Sequence, residues 1–145
     1  MSMNLFFLAC TQHEIEEMKS DHSLIDQWVE DEKYIIGTDI ETARDVLGKI
    51  LDGQGIHIGE EVDDALFNGC NLITADEVKD QARQLSEWTR EQILDRLQNM
   101  EDASEAYRIE TYRGDEKYLV EQFDTLLAFY REAAEKGCGV VSYAA

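Results

Sequence analysis

Apolar residues crowd at the two ends of the chain and recur at helical intervals between them. Leu5-Phe6-Phe7-Leu8-Ala9-Cys10 is a continuous apolar run; its length and aromatic content read as a buried strand. Thr11 and Glu14 follow with capping-box spacing, in which each side chain satisfies an amide that the first helical turn leaves free. That predicts a short helix to about Met18. Asp21 and Ser23 are candidate caps for a second helix carrying Leu24, Ile25, Trp28 and Val29. Lys33–Ile36 fits either an extended piece or the tail of that helix. Thr38 and Glu41 repeat the capping spacing. Behind them Ile40, Ala43, Leu47, Ile50 and Leu51 fall at helical intervals, with Gly53 as the stop.

Residues 52–72 are the least regular part, holding Gly53, Gly55, Gly59 and Gly69. Within them the Ile56-His57-Ile58 alternation is the candidate strand. Two further capping boxes, Thr74 to Glu77 and Thr89 to Gln92, each open a helix. The first buries Val78, Ala82 and Leu85; the second buries Ile93, Leu94, Leu97 and Met100. Tyr107–Tyr112 is expected as an extended piece ending at Gly114. From Glu116 to Lys136 the stripe of Leu119, Phe123, Leu126, Leu127, Tyr130 and Ala134 predicts a long amphipathic helix, with Gly137 at its C′ position. Gly139–Tyr143 closes the chain as a short apolar strand. The terminal strands are expected to share one sheet packed with about five helices. No linker or repeat interrupts the pattern, so the reading is a single α+β domain over residues 1–145.

Composition narrows the function more than the fold. The 145 residues are 43% hydrophobic and 31% charged, a globular composition whose core needs no disulfide or metal. Thirteen basic side chains stand against 32 acidic ones, a net charge of −19. Such a surface repels nucleic acid and anionic membranes, which need Lys and Arg to bind. It attracts a basic protein and speeds that encounter; it also serves solubility alone, and both readings stand at this point. Cys10, Cys70 and Cys138 are widely spaced and form no C-x-x-C pair. They read as reduced, buried thiols of a cytoplasmic protein. The Leu5–Cys10 run has no basic flank and is too short for a signal sequence or a membrane span.

The pattern predicts no catalytic, cofactor or metal residue. His13, His22 and His57 form no H-x-x-x-H spacing, and no G-x-S-x-G elbow, P-loop or G-x-G-x-x-G is present. Cys10 and His13 stand three apart across a strand-to-helix junction, where their side chains are expected to diverge rather than pair. From Asp52 to Glu77 there are seven acidic residues and no Lys or Arg. Within that stretch Glu60, Glu61, Asp63 and Asp64 lack the spacing of an EF-hand loop, which leaves a solvated or partner-facing acidic loop. Phe67 lies in the same segment. Glu30, Asp31 and Glu32 form a second acidic group after Trp28, which falls on an apolar stripe and reads as core. An aromatic anchor rimmed by charge is a common interface design. The candidate partner surface is therefore Glu30, Asp31, Glu32, Glu60, Glu61, Asp63 and Asp64 around Phe67.

Three segments carry a resemblance: Met1 to Phe7, Gly69 to Val78 (Gly-Cys-Asn-Leu-Ile-Thr-Ala-Asp-Glu-Val), and Phe129 to Tyr143, a helix running into a strand. Together they resemble the YfbM-like family, a bacterial domain of unknown function, over nearly the whole chain. The resemblance implies a compact α+β fold and brings no catalytic residue with it. Members of that family usually carry a Lys and a Trp near the start of the central helix. Asp39-Ile-Glu-Thr-Ala43 stands there instead, so no role of those two residues transfers. Three functions remain in view. One is an inhibitor, such as an immunity protein neutralising a basic, nuclease-type toxin. Another is an accessory protein with a different partner. The last is a small-ligand or enzyme domain using Cys10 and His13 or the acidic loop.

Overall fold

A computed structural model describes residues 3–100 and 109–145. Its centre is the pair of terminal strands. β1 (Leu5–Cys10) lies antiparallel to β5 (Gly139–Ala144), with Leu5 opposite Ala144 and Cys10 opposite Gly139. β2 (Gly37–Asp39) flanks β1, while β4 (Cys70–Ile73) and then β3 (Glu60–Val62) flank β5. The sheet therefore runs β2-β1-β5-β4-β3, antiparallel throughout.

Strand alternation feeds two cores, one on each face of the sheet. On one face Leu8, Cys10, Val62, Cys70, Leu72 and Val141 meet α1 (Gln12–Ser20) and α2 (Ser23–Glu30) through Ile15, Met18, Ile25 and Trp28. The larger core on the other face takes Leu5, Phe7, Ala9, Ile73 and Val140. Against it pack α3 (Arg44–Ile50), α4 (Ala75–Ser86), α5 (Arg90–Asn99), α6 (Ile109–Gly114) and α7 (Glu116–Glu135). This is one α+β arrangement of three layers, with seven helices among the described residues rather than about five.

Local signals place most helix starts. Thr11, Thr74 and Thr89 each accept from the N–H three residues on, at 3.1, 3.2 and 3.1 Å, and the Glu14, Glu77 and Gln92 side chains return the bond. Such a cap is worth about 1 kcal/mol. For α2 the capping group is Asp21, whose carboxylate accepts from the Ser23 N–H at 3.1 Å. Gly137, with φ 69, closes α7 as expected.

The Thr38–Glu41 spacing opens no helix. Thr38 is opposite Phe7 in β2, the Ile40 N–H donates to Leu5 O at 3.1 Å, and α3 begins only at Arg44. Strand pairing takes the backbone groups that a helix start would have used. The ambiguous Lys33–Ile36 segment is extended at its end, where Ile35 and Ile36 exchange bonds with Ala9 at 2.9 Å. Ile56-His57-Ile58 is a series of turns and not a strand: the Ile56 and His57 N–H groups both reach back to Gly53 O. Residues 109–112 of the expected extended piece are helical, because Ile109 and Tyr112, three apart, both face the larger core. Tyr107 and Arg108 lie outside the described residues. After the turns at residues 53–57 the chain enters β3 through Gly59, at φ 89, where a Cβ would run into Leu72 O. Only glycine fits so close an approach.

Candidate functional site

Four of the predicted acidic residues and Phe67 belong to one hairpin, β3 with its connection to β4, but the sheet divides them. Glu61 is opposite Asn71 and shares its face with the larger core. Glu60 takes the opposite face, where its Oε2 lies 4.0 Å from His22 Nε2. His22 Nδ1–H donates to Asp64 Oδ1 at 2.9 Å; a carboxylate has only lone pairs to offer, which fixes that nitrogen as the donor. Asp26 on α2 accepts from the Leu66 N–H at 2.6 Å. Asp26 of α2 and His22 just before it thus hold the hairpin connection in place.

Phe67 is the most exposed large apolar side chain described, at 100%. It and Leu66 both adopt left-handed backbone, at φ 60 and 52. Each such residue costs of order 1 kcal/mol and persists only where its surroundings impose it. Here the bonds from Leu66 to Asp26 and from the Gly69 N–H to Ala65 O, at 2.9 Å, impose it.

Glu30, Asp31 and Glu32 sit at the other end of α2, Glu30 as its last residue. Eight residues of helix separate Glu30 from His22, about 12 Å at the helical rise. Asp31 accepts from Gln27 Nε2 at 2.7 Å and lies 3.8 Å from Lys33 Nζ. The two acidic groups are therefore separate patches. Trp28 belongs to the core, 6% exposed, with Nε1–H donating to Glu14 Oε2 at 2.9 Å. Burial works against the charge of Glu14, yet bonds from Thr11 and Trp28 hold its carboxyl below the ordinary value.

Cys10 and His13 do not form a pair. Cys10 is wholly buried, and desolvation raises its thiol far above the ordinary range. His13 lies in solvent and pairs with Glu17 one turn on. Among the described residues no group of three or more His, Cys, Asp or Glu side chains converges as a metal site. No helix there is long and apolar enough to cross a membrane.

One feature of the fold leaves no trace in the hydrophobic pattern or the motifs. A cleft of about 410 Å³ opens at the β3-β4-β5 end of the sheet, on the face of the larger core. Leu5 and Ile56 give it apolar walls, and Asn71 and Ser142 lie on its floor. Around it stand Arg44 from α3, His57 from the turns after α3, and Glu61, Asp63 and Asn68 from the hairpin. Gly48 makes room for the His57 ring: a Cβ there would lie 3.1 Å from Nε2.

The architecture and the sequence agree on kinship. The chain belongs to the family described as domain of unknown function DUF1877, whose model matches residues 1–143. Among solved structures it is similar to YfbM of Escherichia coli, a protein of unknown function, with a TM-score of 0.73 at 13% identity. The match covers 99% of this chain and 100% of that one. None of the curated proteins matches the sequence. These likenesses define the fold and leave the activity to be argued from the surface.

Proposed function

We propose that this protein acts by binding a basic protein through the β3–β4 hairpin, with Phe67 as the apolar anchor. The observation that carries the reading is Phe67 itself: fully exposed, held in left-handed backbone, and following Glu60, Glu61, Asp63 and Asp64 on the same hairpin. An aromatic side chain kept in solvent at a backbone cost is stabilised when a partner covers it. The surrounding carboxylates and the net charge of −19 would steer a cationic partner and raise its association rate. In its most specific form the reading is an immunity-type inhibitor of a nuclease-type toxin, since a toxin that grips nucleic acid must itself be basic.

The test is capture of partners from the native cytosol at low and high salt, followed by affinity measurement. Phe67→Ala should weaken binding by about 2 kcal/mol, roughly 30-fold. Glu60→Lys with Asp64→Lys should slow association at low salt and matter less at high salt. A partner that binds these variants as tightly as the parent chain would remove the hairpin from the interface. Retention of no basic protein at either salt would remove the reading altogether. A toxin gene beside this one would support the inhibitor form; its absence would favour an accessory role with another partner.

A further inference from the structure

Strand register lines up three polar residues across a face that is otherwise apolar. β3 sets Glu61 opposite Asn71, and β4 sets Asn71 opposite Ser142. The next position in that row is Phe7 on β1, and Leu5, Ala9, Ile73 and Val140 fill the rest of the face. Polar groups at such positions cost free energy unless something satisfies them. Asn71 Nδ2–H donates to Ile58 O at 2.9 Å, which orients the carboxamide and leaves Oδ1 as an acceptor. Ser142 is 4% exposed, lines the cleft, and has no side-chain hydrogen bond among the described residues. Arg44, Glu61 and Asp63 line the same cleft, and among the described residues none of them has an ion pair within 4.0 Å. Both signs of charge thus face one cavity without neutralising each other.

We propose that this cleft binds a small zwitterion, an α-amino acid whose ammonium lies on the polar row and whose carboxylate meets Arg44. An ammonium has three N–H donors and no acceptor. The Glu61 carboxylate, Asn71 Oδ1 and Ser142 Oγ offer three acceptors, with Asn71 in the middle and each neighbour one strand spacing, about 4.8 Å, to the side. A guanidinium matches a carboxylate with two parallel bonds. A purely anionic ligand would face Glu61 and Asp63, and a purely cationic one would face Arg44. The cavity lies within the range of small-molecule sites, at about 410 Å³. Leu5 and Ile56 give its apolar lining to the ligand's side chain.

The site shares Glu61 and Asp63 with the partner surface proposed above but not Phe67, and its test keeps the two apart. Each proteinogenic L-amino acid is titrated to about 10 mM into the full chain, followed by amide chemical shifts and by the rise in Tm that binding to the folded state produces. At least one should saturate, with the largest shifts at Asn71, Ser142 and His57. Its N-acetyl derivative and its methyl ester should each bind roughly tenfold more weakly or worse, since each lacks one charged end. Glu61→Gln and Arg44→Gln, both at exposed positions that leave the core untouched, should reproduce those two losses separately. Phe67→Ala should leave amino-acid binding unchanged. Failure of every amino acid to saturate, or saturation indifferent to Glu61→Gln and Arg44→Gln, would overturn the proposal. So would an ester that binds as tightly as the free acid.

Discussion

Replacing Tyr130 by Phe removes a single oxygen atom from the C-terminal half of α7, and the structure says what that atom holds. Tyr130 is fully buried, and its hydroxyl donates to Gly55 O at 2.8 Å. The Gly55 N–H donates to Oε1 of Gln81, a residue 6% exposed on α4, also at 2.8 Å. Both backbone groups of one buried turn residue are thus satisfied by side chains from two helices. Gly55 itself is at φ 75, where a Cβ would press to 3.0 Å from Leu85, so the turn can move little further in. Tyr130→Phe leaves a buried carbonyl without its partner, a cost of about 1–3 kcal/mol. For a chain of this length, each kcal/mol lowers Tm by about 3 °C, so thermal unfolding should shift down by about 3–9 °C. Gln81→Met orphans the N–H instead and should cost a similar amount. The double variant should cost less than the sum, because both bonds hold the same residue and losing one frees the turn to find water. Calorimetry on the four proteins decides it. A Tyr130→Phe variant melting within about 1 °C of the parent would mean that the hydroxyl does not carry this turn.

Two further outcomes follow from ionisable groups. Glu14 has a folded-state pKa below its ordinary 4.5, so its contribution is complete above that value and is lost as pH falls through the lower one. Glu14→Gln, which keeps the capping pattern that Gln92 already shows at Thr89, should flatten the acid side of the stability profile; an unchanged acid limb in urea titrations would refute the assignment. The three thiols are buried and pushed up by desolvation, Cys70 to about 12. At about pH 8 none should react with an aromatic disulfide reagent until the protein unfolds, since the thiolate is the reactive form. Prompt reaction of any one thiol in the folded protein would contradict its placement.

What the sequence determined by itself is local. The Thr11, Thr74 and Thr89 boxes open helices because the donors and acceptors they join are three residues apart and need no tertiary partner. The long stripe of α7, its Gly137 stop and the two terminal apolar runs are legible for the same reason. The exposure of the candidate surface charges was legible too; their role as a partner surface rests on the proposal above. What only the tertiary structure decided is pairing. β2, β3 and β4 are three or four residues long, too short for an alternation to rise above chance, and they exist because β1 and β5 supply the bonds. The Thr38 box loses to β1 although its spacing matches that of the three real boxes, because a strand partner satisfies the backbone better than a free turn would. The division of Glu60 from Glu61 and the parting of Glu30–Glu32 from the hairpin follow from sheet face and helix length. The cleft is the clearest case. Glu61, Asn71 and Ser142 lie as much as 81 positions apart and meet only through two registers, and a register is fixed by which faces are buried across the whole sheet.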